Sequence, residues 1–506
     1  MDLKTFTYST CAVLLSTTAA MAQMTMPTDA AATCTADIAP WFGGTVTPDG
    51  VVRPPSSVTF SDDNPNNGEG PQICNFYQWG AQMFLWLTSP EGDGLVLDGE
   101  AIYNVLPEDE NGARTFQNAA TTSALNVALR SEKAVDSLGE VTQAGGGTLM
   151  SQGKSLVYYG VHSNDIYADF LTLQKNSKAE DLTNFPITAD ELKAIEAYVA
   201  SVGLDTPVAP ETLAMELKTS WVDAATLADA SGYVTMPAVV PAYTPNADNT
   251  VWTPSGTQSL TLALVGMHVV GTVQDHPEFV WATFEHVDNA PDAAYYYSNG
   301  GSTPVEWPFD SSGTYTFLAT GGTPDASNVE CMTTTKNKQT GLVEITADRN
   351  SDGTPVCAGG IVPSDTVRLR PWGSIAYTPA DVASGKVSQE VFDKVVTNNT
   401  ELVSLNTDVL RQLASGDPRK NYVQTGGIWT TTPQGGGDAP IPNQNGDQTA
   451  QMRGSLDLYN ATMETYSQSF ANNCFVCHQL SKDAPDSFGK FQLSHIYYQL
   501  QPLVSE

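Results

Sequence analysis

The chain has 506 residues and carries 56 Asp and Glu against 23 Lys and Arg, a net charge of -33. A surface so acidic repels nucleic acid and anionic membranes, so neither is expected as a partner, whereas cations and basic proteins are attracted. An apolar fraction of 41% is that of a globular chain, and the length suits one large domain or two ordinary ones.

Taken in order, residues 1–22 read as a secretory signal: Lys4, then mostly apolar or small residues, then an A-x-A site at Ala20-Met21-Ala22. The mature chain is therefore expected in the periplasm or secreted. No later stretch has eighteen uninterrupted apolar residues, and the longest candidate, 260–273, contains His268, so no integral membrane segment is expected in the mature chain. With Cys11 removed alongside the signal, Cys34, Cys74, Cys331 and Cys357 form an even set that can pair in three ways in an oxidising compartment; sequence neighbourhood favours Cys34 with Cys74 and Cys331 with Cys357.

Residues 23–71, rich in Pro, Gly, Asp and Asn, look like an extended lead-in. Aromatic and apolar residues at helical spacing predict a helix over 74–87. Residues 95–106 and 155–161 read as strands, and Thr188 with Glu191 forms a capping box opening a helix to about Val202. Strands are expected over 211–222, over the apolar run 259–273, which Gly266 can bend, and over 279–287 beside it. Residues 289–385 suggest long loops and short strands. Two helical patches follow at 389–399 and 401–413, then a Gly, Pro, Asn and Gln-rich linker at 426–448, then a helix over 452–473.

That last helix leads into Cys474-Phe475-Val476-Cys477-His478, which reads C-x-x-C-H, the attachment sequence of a c-type haem. Residues three apart share one face of a helical turn, so both sulfurs reach one porphyrin edge while His478 turns beneath the ring to bind iron. A zinc site would need two more soft ligands nearby, and a thioredoxin-like pair a βαβ context; neither is visible. Only 28 residues follow His478 and none is Met, so the haem-bearing segment is too small to bury its own surface. It is expected to dock on the preceding domain and borrow pocket walls from it.

The sixth iron position then has a short list of candidates. His268 comes first, because the apolar core would bring it to the iron. His495, in a probable helix close to the motif, comes second and an open site third. Glu285 beside His286 is a candidate acid/base pair, although adjacent strand residues point to opposite faces. His276 is flanked by Asp275 and Glu278, both expected at the surface. Asp348, Asn350 and Asp352 match the first half of a calcium loop with Gly353 at its turn, but position twelve is Gly359 rather than Glu, and turn chemistry alone yields the same composition.

The run from Asn460-Ala461-Thr462-Met463-Glu464-Thr465-Tyr466 to the C-x-x-C-H motif resembles the end of exported bacterial proteins labelled cytochrome c family proteins. The resemblance extends to the aromatic segment 74–90, to E-L-K-x-x-W at Glu216 to Trp221, and to G-x-H at Gly266 to His268 followed by W-A-T-F-E-H at Trp281 to His286. It implies covalent haem and draws attention to the central histidines, but supplies no substrate.

Together these expectations describe an α+β protein: a signal at 1–22, a strand-rich large domain with peripheral helices at 23–451, and a helical haem-attachment segment at 452–506. One-electron transfer to a redox partner protein through one covalent haem c is the leading function. A haem-c enzyme of peroxidase or oxygenase type with an open sixth site, or a haem-based sensory module, stands as the alternative.

Overall fold

The apolar run centred on Gly266 becomes the longest strand of the molecule, and the other elements are laid out on either side of it. The structure, a computed structural model, describes residues 26–60, 73–106, 108–109, 111–121, 125–126, 128–129, 147–177, 184–274, 276–336, 343–431, 451–468, 473–479 and 491–505. The expected signal and its cleavage site, Asp275 and most of the expected linker lie outside these residues.

The main strands are β1 (Ile102–Val105), β2 (Phe116–Asn118), β3 (Tyr158–Asn164), β4 (Met215–Asp223), β5 (Thr235–Pro245), β6 (Val251–Val273), β7 (His276–His286), β8 (Met332–Lys336), β9 (Val343–Ala347), β10 (Tyr422–Thr431) and β11 (Gln451–Gly454). A single, almost wholly antiparallel sheet holds them in the spatial order β11-β10-β7-β6-β4-β3-β1-β2, with β5 and β9 also paired to the outer part of β6, and β8 to β9. The longer helices are α1 (Ile73–Leu87), α2 (Asp165–Ser177), α3 (Ala189–Val202) and α4 (Gln389–Gln412). This is a mixed α+β fold built on a large antiparallel sheet. No helix among the described residues is long and apolar enough to cross a membrane.

One face of the central strands packs on α1 and α4. Phe84 of α1 stacks on Phe284 of β7 at 4.5 Å and 14°, and Phe76 meets Trp429 of β10 at 4.5 Å. At Gly80 a Cβ would stand 2.9 Å from that of Ala282, so glycine is what lets the helix lie this close to the sheet. Each such buried ring contributes roughly 1.5–3 kcal/mol by leaving water. The other face carries a second cluster, in which Val270, Phe279 and Trp281 of the sheet meet α2, α3 and the C-terminal residues Phe475, Phe491 and Tyr497.

Both disulfides favoured by neighbourhood are present, Cys34–Cys74 and Cys331–Cys357. The first ties the lead-in to the start of α1, where Ser404 of α4 also exchanges hydrogen bonds with the Cys34 backbone. The Thr188 capping box is present. The two helical patches after residue 388 are one continuous helix, α4, capped by Ser388.

The expected helix over 452–473 does not form in its described part. Residues 451–454 pair with β10 as strand β11, which ends at Gly454 with φ 81°. Beyond it Asn460, Thr462 and Thr465 spend their side chains on nearby backbone and on each other, the competition that turns chains away from helix. Among the described residues of the C-terminal segment, helical character is limited to short 3-10 turns at Thr465–Ser467, at Cys474–Val476 and at 491–493. Residues 426–431, expected as linker, are strand.

Candidate functional site

Register decides which side chains share a face. His268 of β6 lies opposite Thr283 of β7 and Lys218 of β4, and Lys218 lies opposite Val161 of β3. One step along, Val270 is flanked by Trp281 and Glu216. Cross-strand partners point the same way, so these rows form one wall with His268 at its centre. The C-terminal segment crosses this wall, and between the two lies a cleft of about 980 Å³, open solvent space included. Cys474, Cys477, His478 and His495 line one side of it, and His268, Lys218, Glu216 and Trp281 the other.

The Cys474–Val476 turn starts at Asn473. Its side-chain oxygen accepts from the Phe475 backbone N–H at 3.0 Å, while its amide nitrogen donates to the Leu456 carbonyl at 2.8 Å. Phe475 is buried against Trp281, edge to face at 5.9 Å. The backbone N–H of His478 donates to the Cys474 carbonyl at 2.9 Å, which sets both thiols and the imidazole around one tight turn. Cys474 and Cys477 are thiols, in contrast to the four cysteines joined in disulfides. Burial, and after it the charge of Glu464, pushes the Cys474 thiol well above its ordinary value.

His478 donates from Nδ1 to the Leu493 carbonyl at 2.8 Å and leans on Trp281 with ring centres 4.4 Å apart. His495 stacks face to face on it at 3.9 Å and 11°, and its Nε2 donates to the Cys477 carbonyl at 3.2 Å. In this arrangement His495 stands beside His478 rather than across the cleft from it.

His268 sits across the cleft with its Nε2 3.0 and 3.1 Å from the two carboxylate oxygens of Glu464. Glu464 is carried by a strap, residues 460–464, pinned to the same wall at several points. The Asn460 amide donates to Thr283 Oγ1 at 2.8 Å, the Ala461 N–H to Glu285 Oε1 at 2.7 Å, and Thr462 Oγ1 lies 2.7 Å from Ser220 Oγ. The Asn460 N–H donates to Glu464 Oε2 at 3.1 Å, fixing the carboxylate itself. At Gly266 an added Cβ would stand 2.5 Å from Thr462 Oγ1, so the strap can lie this low only over glycine.

The other candidates have structural roles. Glu285 and His286 do point to opposite faces. Glu285, fully buried, accepts from Arg368 Nε at 2.9 Å and anchors the strap. His286 stacks on Tyr233 at 3.6 Å and donates from Nε2 to the Gly232 carbonyl, while its Nδ1 accepts from the Asp288 N–H. Burial lowers its pKa to about 3, so it is neutral, and neither residue lines the cleft. His276 packs edge-on against Phe76 on the α1 side, 2.8 Å from Glu278. Glu278, expected at the surface, is fully buried. His162 is likewise buried, between Asn104 and Thr219, with its pKa lowered to about 3 by burial.

Asp348, Asn350 and Asp352 lie far from the cleft, in a turn inside the Cys331–Cys357 loop. Asp352 accepts from the Thr354 N–H and Oγ1 at 3.0 and 2.6 Å, and the Asn350 amide donates to Pro355. These are the bonds of a turn held by its own side chains. Among the described residues no group of three or more His, Cys, Asp and Glu is placed to hold a metal ion.

Sequence reasoning did not single out Glu464, Lys218, Glu216 or Trp281 as site residues. All four belong to motifs that the family resemblance quotes, and the fold gathers those motifs, from β4, β6, β7 and the strap, around one cleft. Comparison of the chain with protein-family models, with curated proteins and with solved structures finds no match.

Proposed function

We propose that this is an exported monohaem c-type redox protein, with its haem seated in the cleft between the C-terminal segment and the sheet, and that it passes single electrons to or from a partner of basic surface. One observation carries the reading: the two thiols and the imidazole of the C-x-x-C-H turn line the same cleft as the sheet row centred on His268. Cys474 and Cys477 would hold the porphyrin as thioethers. His478, with its proton on Nδ1 committed to the Leu493 carbonyl, is the tautomer whose Nε2 lone pair suits iron, and the carbonyl fixes the ring's orientation. Val270 and Trp281 would give the porphyrin an apolar wall on the sheet side. A bound haem c supplies a one-electron couple whose potential follows ligation and burial. The acidic surface suits a basic partner, and the two disulfides suit an oxidising compartment.

The same geometry bears on the sixth position. His495 lies on the His478 side, and His268 could offer its Nε2 to iron only by leaving Glu464. The His268–Glu464 pair faces the cleft across from His478, an arrangement that would also suit the alternative of a haem enzyme.

The test is export of the full chain in a host with cytochrome c maturation. The expected product is one covalent haem per chain by mass, lost in the Cys474→Ser, Cys477→Ser double variant. A mature, folded protein without covalent haem would falsify the proposal.

A further inference from the structure

The C-x-x-C-H turn is gripped by a later stretch of the same chain. Of residues 493–497 four are buried and His495 is the part-exposed one. The stretch is fastened to the large domain: Ser494 Oγ lies 2.7 Å from Tyr167 Oη of α2, and Tyr497 Oη donates to Gln174 Oε1 at 2.9 Å. Tyr497 also stacks on Phe491 with ring centres 4.4 Å apart. What Leu493 and His495 hold is the imidazole of His478.

Their contacts constrain different motions of that ring. The bond from His478 Nδ1 to the Leu493 carbonyl, at 2.8 Å, fixes one corner but leaves the ring able to swing about the line of the bond. His495 lies parallel to it at 3.9 Å and 11°, which removes the swing. The His495 Nε2 donates to the Cys477 carbonyl at 3.2 Å, so the stacked ring is tied to the residue that precedes His478 and moves with the turn. Trp281, with its ring centre 4.4 Å away, limits His478 further.

A metal-bound imidazole is oriented by the partner of its other nitrogen, and such outer partners are worth about 10–100-fold in affinity or activity. Here a second ring adds the plane to the direction. Both are set before any metal group is held, as a preorganised site requires.

We infer that His495 is a positioning residue for the axial imidazole of the haem: with the Leu493 carbonyl it clamps the plane of His478, and Ser494 anchors the clamp to α2. The inference rests on the proposed haem and deepens it by naming what fixes the ligand and, with it, the potential of the couple. Loss of the parallel ring would open His478 to water, and exposure to water favours the more highly charged ferric state.

The test uses the full-length haem-loaded protein, with the midpoint potential from optical redox titration and the ferric EPR spectrum, both at about pH 8, where a free imidazole is neutral. His495→Gln keeps a donor for the Cys477 carbonyl and removes the ring. It should lower the potential by about 59 mV, a tenfold change in the one-electron equilibrium, and broaden the g values. His495→Phe restores a ring and should recover most of both. Tyr497→Phe removes one bond to α2 while the anchor at Ser494 stays, and should leave both readings as in the wild type. An unchanged or raised potential in His495→Gln overturns the inference, and so do equal shifts in all three variants, which would mean general loosening of the stretch. High-spin iron in His495→Phe also overturns it, because His495 would then be a ligand itself. Each of these outcomes leaves covalent haem present by mass; its absence removes the underlying reading instead.

Discussion

The two faces of β6 and β7 make opposite uses of alternate residues from the same strands. On the α1 side Met267, Val269, Ala282 and Phe284 are sealed under aromatic rings, with Phe84 on Phe284 and Phe76 on Trp429. On the cleft side His268, Thr283 and their neighbours Lys218 and Glu216 stand beneath a strap and the C-x-x-C-H turn, which reach the sheet through hydrogen bonds as well as rings. One face supplies stability; the other holds chemistry in position and relies on the first for its rigidity. Substitutions on the two faces should therefore separate loss of folding from loss of site properties.

The largest effect belongs to the packed face. Phe284→Ala removes a ring stacked between α1 and the sheet and leaves a cavity that tight surroundings cannot close. A loss of about 3–5 kcal/mol is expected, read as a lower urea midpoint with unchanged slope. If the protein carries haem, its spectrum below the transition should not change.

Gly266 sits on the cleft face and should cost less, about 1–3 kcal/mol on replacement by Ala. The new methyl would press on Thr462 Oγ1 at 2.5 Å and Ser220 Oγ at 2.7 Å, lifting the strap that carries Glu464. Adding Thr462→Ala to the Gly266→Ala variant should recover part of the loss, because the crowded hydroxyl is gone. Strict additivity of the two substitutions in denaturation experiments would show that the strap does not rest on Gly266.

How much of this contrast is legible in the sequence depends on which residue is asked. The length and β-branched content that make the apolar run 259–273 a strand, with the neighbouring 279–287 as its partner, are local, so the central pair could be read and His268 placed near a core. The Thr188 cap and both disulfide pairings are also local. The C-x-x-C-H turn carries its chemistry in five consecutive residues. The wall opposite it does not. That Lys218 and Glu216 stand beside His268 and Val270 follows from strand register across β4 and β6, and a shift of one residue would turn them to the other face. The strap was read as helix because its apolar spacing allows one. What decides against that is hydrogen bonding of Asn460, Thr462 and Glu464 to a sheet more than 170 residues away in the chain. Nearness in sequence makes His495 a candidate ligand, and in the fold it stands stacked beside His478.

His286, at the boundary of β7, lets the contrast be sharpened with pH. Burial holds its pKa down near 3 against an ordinary 6.5, so the unfolded chain binds the extra proton between those values. Stability from this residue is full above about pH 6.5 and is lost as pH falls toward 3. The buried carboxyls nearby act the other way: burial raises Asp288 and Asp292 to about 6, which favours the folded state in acid. The difference between wild type and variant isolates the histidine. His286→Leu is expected to cost about 1–3 kcal/mol at pH 7, because the Gly232 carbonyl and the Asp288 N–H lose their partner. That difference should shrink steadily from pH 6.5 to 4 in urea denaturation; a difference independent of pH would mean that His286 is not held neutral.

The smallest effect on stability is expected where the effect on the site is greatest. His268→Ala removes a part-exposed side chain paired with Glu464 at the cleft wall, so the loss should stay within about 1 kcal/mol. Glu464 keeps its bond from the Asn460 N–H and the strap keeps its anchors at Ser220, Thr283 and Glu285, so no buried charge is stranded without a partner. In haem-loaded protein the same substitution should alter how exogenous ligands bind and leave covalent attachment intact, because His268 takes no part in holding Cys474, Cys477 or His478. A loss of several kcal/mol would place His268 with the packed face and undo the division between the two. A stability change near zero, with altered ligand titrations, would show that the central strand presents this histidine to the cleft and does not need it to fold.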